Sequence, residues 1–588
     1  MSVALLAKPG QKRNVTVRNV DIATLFEQTA DSLEIQSANP FRVRAYRNAG
    51  RMLRSYGTEM AELVSRGEKL TALPGIGDDL AARITEIVHT GKCAALEKIQ
   101  NKVPRFALDL LKLPGVGPRR ARALSKKSDI HSLEQLHRAA LDHRIRSLAG
   151  FGAKVEETIL AALEKAKHEP GRMKLATAAS YADALVAHMR RAPGVKDLTV
   201  AGSFRRVRET VGDLDLLATA ARGKPIIQHF LGFDQVGEVL ASGTTRGTVV
   251  LKSGLQVDLR VVPEKSYGAA LHYFTGSKAH NIATRRLAQK KGLKLSEYGL
   301  FRGKKMLAGS TEKDVYAAVG LPFIPPELRE DRGEIEAAKQ GKLPKLIEFT
   351  DLKGDLHAHS TLTDGHNTVR EMAEAARGLG MSYLAMTDHS QRLKMVHGLD
   401  IKRLHAQMDA IDDLNSRTIG ITILKGIEVE ILEDGSLDLP DEVLARLDVV
   451  VGGVHSKFDL SRMEQTRRIL RAMEHPHFSI LAHPSGRLMQ EREPYDVDMT
   501  RIIAAAARTR CALELNAHPD RLDLSDVYCR QAKNEGVLIA IGSDAHSTSE
   551  FANLRLGVQQ ARRGWLEKKD VLNTRPLGEL RRLLKKGR

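Results

Sequence analysis

The sequence predicts a multidomain protein with a helical N-terminal part, an α+β middle part and a C-terminal β/α barrel. Its 588 residues exceed what one hydrophobic core organises, because domains usually span about 100–200 residues. Residues 20–165 show helical apolar spacing interrupted at Pro and Gly, and β-rich runs begin near residue 195. Beyond residue 350, strand-like and helix-like runs alternate to the end, which is typical of a β/α layered or barrel domain.

The composition excludes several classes of protein. Hydrophobic residues make up 42% and charged residues 28% of the chain, the balance of an ordinary globular protein. No run approaches the roughly 18–20 uninterrupted apolar residues of a membrane helix, and the apolar N-terminal stretch is shorter than a signal peptide. Three scattered cysteines (Cys93, Cys511 and Cys529) cannot form a disulfide framework. We therefore expect a reduced, cytoplasmic protein with no membrane partner.

The net positive charge is confined to the first part of the chain. Residues 1–350 carry 57 Lys and Arg against 37 Asp and Glu, whereas residues 351–588 carry 34 against 35. Such an asymmetry favours a polyanionic partner for the first part. A solvated basic surface is the alternative.

One glycine pattern occurs three times in the helical part. The segments are LPGIGDDLAARI (73–84), LPGVGPRRARAL (113–124) and, more loosely, LAGFGAKVEETI (148–159). Gly-x-Gly permits a tight turn that leaves free N–H groups at a helix N-terminus, where a phosphate can sit. The pattern resembles helix-hairpin-helix elements, which grip a nucleic-acid backbone without reading its sequence. The implied DNA-binding glycines are Gly75, Gly77, Gly115, Gly117, Gly150 and Gly152.

Three carboxylates are predicted to cluster on one sheet of the middle part. In GDLDLL, Asp213 and Asp215 lie two residues apart on a strand and project to the same face. In QVDLRVV, Asp258 alternates with apolar residues, after a hairpin that turns at 252–254. Clustered carboxylates repel one another unless divalent cations neutralise them, which is the layout of a two-metal phosphoryl-transfer site. Solvated strand aspartates are the alternative.

These motifs, with GSFRR, VDLR and YFTGSKAHN, resemble the nucleotidyltransferase superfamily and specifically the family X DNA polymerases, over residues 17–325. The resemblance implies that Asp213 and Asp215 bind two Mg²⁺ or Mn²⁺ ions, and that Asp258 binds the catalytic ion and helps activate the primer 3′-OH. It further implies contacts to deoxynucleoside triphosphates and to gapped or nicked DNA. The implied nucleotide-binding residues are Gly202, Ser203, Arg206, Gly212, Tyr273, Phe274, Gly276 and Asn281, with Arg285 contacting the minor groove.

The sequence departs from this family at the sugar-phosphate lyase position. Arg83 stands where the lyase lysine is expected, and Asp79 replaces a phosphate-binding lysine. A guanidinium that stays protonated cannot serve as the Schiff-base amine. The sequence therefore disfavours 5′-deoxyribose-phosphate lyase activity by this route.

Seven strand-like runs after residue 350 each end in a polar residue with metal-binding chemistry. Strand C-termini converge on one face of a β/α barrel, so these side chains can meet despite their separation along the chain. Imidazole with carboxylate suits Zn²⁺ or Mn²⁺. In the seventh run, Asn516 and His518 look less suited as direct ligands. The candidate ligands are His357, His359, Asp364, His389, Glu428, His455, His483, Asp544 and His546.

This pattern resembles the PHP (polymerase and histidinol phosphatase) domain, a distorted seven-stranded β/α barrel, over residues 350–575. The resemblance implies up to three Zn²⁺ or Mn²⁺ ions. Glu428 would serve the first two ions, with His357, His359 and Asp544 at the first and His455 and His483 at the second. Asp364, His389 and His546 would hold the third. Arg521 is a candidate phosphate contact.

A family X core followed by a PHP domain resembles bacterial and archaeal PolX enzymes. The expected function is gap-filling DNA synthesis in repair, with a metal-dependent 3′→5′ exonuclease that could also act as an AP endonuclease or 3′-phosphatase. The alternatives are a DNA end-binding scaffold with minor catalysis, and a PHP domain that acts as a small-molecule phosphatase. We expect a monomer associated with the nucleoid.

The expected domains follow from these motifs. They are an N-terminal helical domain with a helix-hairpin-helix (1–95), fingers with a second (96–167), a nucleotidyltransferase palm (168–264), a thumb (265–325), a charged, Pro-bearing linker (326–349) and the PHP domain (350–588).

Overall fold

The computed structural model describes residues 19–160, apart from 37, 56–59, 74, 91, 101–102, 112, 114–115, 126–129, 131, 147, 149 and 154, and residues 172–417 and 420–584. The chain divides into two compact units, Met1–Gly171 and Arg172–Arg588. Within the described ranges, no helix has both the length and the apolar content needed to cross a membrane.

The first unit is helical, and its described apolar residues form two larger cores and one small cluster. In the first helix, Ile22, Phe26 and Ala30 recur every four residues and are fully buried, so one stripe of the helix faces the core. Phe26 meets Tyr46 of the second helix edge-to-face, with ring centroids 5.4 Å apart. The helices are Asn19–Ile35, Pro40–Ser55, Met60–Ser65, Asp78–Thr90, Ala94–Gln100, Arg105–Leu110, Pro118–Ser125 and Leu133–Leu141.

A five-stranded sheet forms the palm of the second unit. Its strand order is β2-β4-β7-β6-β5, in which only the central pair β4 and β7 is parallel. The five strands are β2 Leu198–Val200, β4 Asp213–Thr219, β5 Val236–Ser242, β6 Arg246–Leu251 and β7 Gln256–Val262. β1 Met173–Lys174 and β3 Thr210–Val211 pair as a separate two-stranded sheet. The palm helices are Leu175–Met189, Gly202–Arg205 and Gly223–Leu231.

The thumb combines helices with a three-stranded antiparallel sheet. Its strands are β8 Lys294–Ser296, β9 Gly299–Arg302 and β10 Lys305–Ala308, and its helices are Tyr267–Thr275, Lys278–Lys290 and Glu312–Val319. The following segment 326–349, predicted as a linker, contains helix Glu334–Lys339. It is packed rather than solvated, because Arg329 is fully buried and pairs with Glu312 of the thumb at 2.6 Å.

The C-terminal part is a seven-stranded parallel sheet in chain order. The strands are β11 Gly354–Asp355, β12 Tyr383–Met386, β13 Thr422–Glu430, β14 Val449–Gly453, β15 Ile480–Leu481, β16 Ala512–Asn516 and β17 Ile539–Gly542. Strands β12, β14, β16 and β17 are buried throughout, as expected where helices cover a parallel sheet. The helices are Val369–Gly378, Ile401–Arg417, Asp441–Leu444, Arg462–Met473, Met499–Thr509, Asp526–Asn534, Leu554–Arg563 and Leu577–Leu584.

The first and last strands meet, so the sheet is nearly closed into a barrel. Ala358 forms a parallel bridge with Ala545 beyond the ends of β11 and β17. Fully buried Asn573 links β11 to β17, because its Nδ2 donates to the carbonyls of Gly354 at 2.8 Å and Ile541 at 2.9 Å. Closure brings all seven carboxyl ends of the strands to one face.

Candidate active sites

The palm places its three carboxylates as their strand positions predict. β4 and β7 run parallel with Asp215 directly beside Asp258. On β4, Leu214 is fully buried while Asp213 and Asp215 lie on the opposite, partly open face. Asp258 is likewise flanked by fully buried neighbours on β7. The parallel pairing therefore gathers three acidic groups on one face of the sheet.

The three carboxyl groups differ in their protonation. Burial, followed by the charges of Asp213 and Asp258, raises the pKa of Asp215 to about 7. Burial alone would also raise the pKa of Asp258, but hydrogen bonds donated by Thr248 at 2.6 Å and Gln256 at 2.8 Å lower it. Asp258 is thus held ionised and Asp215 is poised to exchange a proton for a cation. Crowded carboxylates of this kind fit divalent cations.

Gly202 and Ser203 open a short helix directly above Asp215. Gly202 has φ +63°, and a Cβ atom there would lie 2.4 Å from Asp215 Oδ2. Only glycine leaves room for the carboxylate beside this turn. Gly212, immediately before β4, is close to Arg172, whose Nη1 would lie 3.6 Å from a Cβ at that position.

Arg206 is tethered on two sides. Its Nε donates to Glu330 at 3.1 Å, and its Nη1 donates to the Thr275 carbonyl. Glu330 also pairs with Arg563 of the barrel at 3.1 Å. Gly276 follows Thr275 at φ +66°, and a Cβ there would crowd Arg206 Nη1 at 3.2 Å. The predicted triphosphate and sugar segments are therefore in direct contact.

The thumb residues named from the sequence lie around one helix boundary. Tyr273 is 36% exposed, and its carbonyl accepts a hydrogen bond from Asn281 Nδ2 at 2.7 Å. Phe274 lies against the Arg260 guanidinium, 5.0 Å from the ring centroid. Arg260 escaped the sequence reasoning, although it lies two residues after Asp258 on the same face of β7. Arg285 follows Asn281 by four residues on helix Lys278–Lys290, hence on the same helix face.

The barrel gathers all nine predicted ligands at the carboxyl ends of its strands. Glu428 is the centre, with ion-pair distances of 2.9 Å to His389 and His483, 3.0 Å to His455, 3.4 Å to His357 and 3.7 Å to His359. Asp364 lies 3.4 Å from His389 and 3.3 Å from His546. Asp544 lies 3.1 Å from His359.

The donor set fits metal ions. Three groups have ligand atoms within 4.8 Å of one another: His359, Asp364, His389 and His546; His357, His359 and Asp544; and His389, Glu428 and His455. His483 meets the set through Glu428. Among the described residues, the buried Nε2 of His357 and Nδ1 of His483 have no hydrogen-bond partner, and a cation would bind the lone pair of such a ring nitrogen.

Charge in this cluster is strongly coupled. Burial alone would lower the pKa of His389, but Glu428 and Asp364 raise it to about 10. Burial would likewise raise the pKa of Glu428, but His389, His455 and His357 hold it well below its usual range. The ionised carboxylates therefore stabilise positive charge beside them, either as protons on the histidines or as bound cations.

Several supporting residues were missed by the sequence reasoning. Glu514 accepts from His357 Nδ1 at 2.6 Å, and Glu430 accepts from His455 Nδ1 at 2.7 Å. Such carboxylates fix the tautomer and orientation of a ligating imidazole. Asn516 donates to the candidate ligand Asp544 at 2.9 Å. The available signal was a charged residue in a fully buried strand, as in ALELN of β16.

The three glycine turns share one backbone hydrogen bond. The residue between the glycines is buried in each copy and donates its N–H to the leucine three residues earlier: Ile76 to Leu73 at 3.1 Å, Val116 to Leu113 at 3.0 Å and Phe151 to Leu148 at 2.9 Å. Gly75, Gly77, Gly117, Gly150 and Gly152 have no atom within 4 Å of a Cβ position. Gly115 lies outside the described residues. Each apolar anchor thus holds an open turn ahead of a helix.

Arg83, where the family resemblance places the lyase lysine, forms an ion pair with Asp79. Its Nη2 and Nε donate to the two oxygens of Asp79 at 2.8 and 3.0 Å. Its side chain is 13% exposed. The charges of Arg83 and Asp79, the two residues that differ from the family pattern, therefore neutralise one another.

Comparisons with known protein families agree with this architecture. Family profiles match residues 17–93 (helix-hairpin-helix domain), 107–165 (SAM-like helix-hairpin-helix tandem), 270–330 (DNA polymerase beta thumb) and 355–518 (PHP domain). The chain is 39% identical over 570 residues to the DNA polymerase/3′-5′ exonuclease PolX of Bacillus subtilis (strain 168), which covers 96% of this chain and 99% of that protein. The chain belongs to the PolX family of DNA polymerases. The fold class predicted from the sequence is confirmed.

Other relatives match shorter stretches of this PolX chain. DNA polymerase lambda of Rattus norvegicus is 29% identical over 356 residues, covering 55% of this chain and 58% of that protein. A probable phosphatase of Thermoanaerobacter sp. (strain X514) is 29% identical over 246 residues, covering 39% of this chain and 94% of that protein. This PolX chain therefore has partial relatives among both polymerases and phosphatases.

Proposed function

We propose that this PolX protein fills short gaps in DNA from deoxynucleoside triphosphates and trims 3′ ends of DNA in its barrel. The observation that carries the proposal is the presence of two separate sites in one compact unit. One is a carboxylate triad on β4 and β7, and the other is a histidine-carboxylate cluster at the mouth of the barrel.

In the palm, the residues arrange primer and nucleotide for in-line transfer. Asp213, Asp215 and Asp258 would hold Mg²⁺ or Mn²⁺. Asp258, kept ionised by its hydrogen bonds, would hold the catalytic cation beside the primer 3′-OH and in this way help to activate it. Gly202, Ser203 and Arg206 would bind the triphosphate, and the exposed Tyr273 would lie against its sugar.

In the barrel, the nine clustered side chains would hold up to three Zn²⁺ or Mn²⁺ ions. In the palm and in the barrel, bound divalent cations would neutralise the charge on the phosphate oxygens. Glu514 and Glu430 keep the imidazoles of His357 and His455 in the ligating tautomer. Arg521, with Nε 3.4 Å from Asp544 Oδ2, borders the cluster and would contact the phosphate being cleaved.

The helical unit would hold the DNA backbone through its glycine turns. Their open N–H groups suit phosphates in any sequence. Because Arg83 is neutralised by Asp79, lyase chemistry at this position is not part of the proposal. With DNA as substrate, the protein would act in the cytoplasm at the nucleoid, as a monomer.

Extension is expected to need more Mg²⁺ below pH 7. Asp215, with its pKa raised to about 7, must lose its proton before it holds a cation. The Mg²⁺ concentration for half-maximal extension should therefore rise about tenfold per pH unit below that pKa and level off above it. Initial extension rates measured across a Mg²⁺ titration at each pH check this. DNA affinity over the same pH range is the control, and a flat Mg²⁺ requirement would contradict the prediction.

The test of the function uses one labelled gapped duplex with a mismatched 3′ end. With Mn²⁺ alone, the wild type should shorten the primer, and after deoxynucleotides are added it should extend the trimmed end. Histidinol phosphate and p-nitrophenyl phosphate serve as small-molecule controls. Efficient hydrolysis of these esters without digestion of DNA would replace the nuclease by a phosphatase. Tight DNA binding without extension would replace the polymerase by a scaffold.

A further inference from the structure

Three planar side chains contact one another in the barrel. The rings of Phe458 and Tyr495 are nearly parallel, with an interplanar angle of 14° and centroids 6.2 Å apart. The Arg492 guanidinium lies over the Phe458 ring, with Cζ 4.2 Å from the centroid. Tyr495 is buried, whereas Arg492 is only partly covered. Phe458 therefore contacts both a buried ring and a partly exposed guanidinium.

The three side chains lie on the loops that follow two candidate metal ligands. Phe458 comes three residues after His455. Beyond His483, the Pro484 carbonyl accepts the Tyr495 hydroxyl at 2.8 Å, and the Gly486 carbonyl accepts Nε and Nη2 of Arg492 at 3.0 and 2.7 Å. Both loops leave the carboxyl ends of strands, β14 and β15, on the face that carries the metal cluster.

The guanidinium is fixed in place but its charge is not neutralised by an ion pair. Among the described residues, the guanidinium donates hydrogen bonds only to the backbone carbonyl of Gly486. Burial and the neighbouring Arg521 guanidinium lower the pKa of Arg492. Arg521 in turn borders the metal cluster at Asp544. Arg492 and Arg521 repel one another electrostatically, and an anionic chain such as a nucleic-acid strand would relieve that repulsion.

We propose that the Arg492 guanidinium is the stacking platform for the nucleobase at the 3′ end of the strand being degraded. The inference rests on the proposed nuclease function and names a subsite for it. Guanidinium planes stack on bases of any identity, which suits an enzyme that removes whatever nucleotide is mispaired. Phe458 and Tyr495 support the plane from behind, and Arg521 would hold the adjoining phosphate.

The test compares a 3′-terminal nucleotide that carries a base with a tetrahydrofuran abasic nucleotide at the same position. With the base present, Arg492→Ala and Arg492→Lys should both raise KM for 3′→5′ digestion about tenfold, because stacking needs the plane and not only the charge. The turnover number should change less than about twofold. On the abasic end, wild type and Arg492→Lys should have equal KM. Arg555→Ala, which removes a remote Arg–Phe stack on Phe349 at 4.4 Å, is the matched control.

The outcomes separate the platform from the nuclease function. If Arg492→Lys raised KM equally on the base-bearing and the abasic end, or left KM unchanged on both, the platform would be overturned. The nuclease function would stand. Absence of digestion by the wild type would overturn the nuclease function and the platform together. An equal rise of KM in Arg555→Ala would show that the loss of any Arg–Phe contact acts through folding and not through the base.

Discussion

Replacement of Glu428 by glutamine is expected to abolish 3′→5′ digestion of DNA and to deplete the barrel of metal. The substitution keeps the size and shape of the side chain, so it changes charge with little change in packing. Glu428 is fully buried, and five histidines lie within 3.7 Å of it. No other described carboxylate touches as many of the candidate ligands.

The physical reason is the balance of charge at the centre of the cluster. Glu428 draws positive charge to the site, as its strongly lowered pKa shows. A neutral amide cannot offset divalent cations, and its NH₂ group would point a donor at one of them. Loss of a central ligand of this kind is expected to lower digestion on the order of a thousandfold. Extension by the palm should stay within about threefold of wild type, because its carboxylates belong to another sheet.

The measurement pairs digestion rates with metal content per chain by mass spectrometry. Glu334→Gln is the matched control, because Glu334 is also fully buried and also contacts a histidine, His280, at 2.6 Å. It should keep its barrel metal and digest DNA. If Glu428→Gln retained both metal and digestion, the site would not be organised around this carboxylate.

The faces of the palm carboxylates were predictable because the side chains of a strand alternate. Asp213, Asp215 and Asp258 needed only that rule to be placed on the open face. What holds Asp258 ionised was not predictable. Thr248 reaches it from the antiparallel neighbour β6, where the two residues lie opposite one another. That contact depends on strand register, which the alternation of a single strand does not specify.

The barrel ligands were predictable for a different reason. One polar residue with metal-binding chemistry recurs at the end of each strand, and barrel closure alone brings such positions together. Glu430 and Glu514 escaped because each accepts a hydrogen bond from a candidate ligand, His455 and His357, and is not itself one of the recurring candidates. The repeat of strand ends does not mark a residue that acts through its neighbour.

Composition misdescribed the segment between thumb and barrel. Pro and many charges predict a solvated tether, yet Arg329 and Glu334 are fully buried. Their partners, Glu312 and His280, lie in the thumb. Charge counted along the chain does not reveal pairing across the fold, so buried ion pairs and exposed ones give the same composition.

Replacement of Gly202 by alanine is expected to lower extension at least about a hundredfold while leaving digestion intact. The added Cβ would lie 2.4 Å from Asp215 Oδ2, far inside van der Waals contact, so either the turn or the carboxylate must move. Displacement of a metal-binding carboxylate by about 1 Å costs on the order of a hundredfold in rate. Backbone strain adds to this, because Gly202 has φ +63°.

Gly254→Ala separates the steric effect from the strain. Gly254 has φ +86° at the tip of the β6–β7 hairpin, with no atom within 4 Å of a Cβ position. It should lose about 1 kcal/mol of stability and still extend primers. Single-nucleotide extension kinetics and melting temperatures of the two variants, with digestion as an internal check of folding, make the comparison. Equal extension by both variants would mean that the contact between Gly202 and Asp215 does not position the triad, and that the carboxylate is set instead by its place on β4.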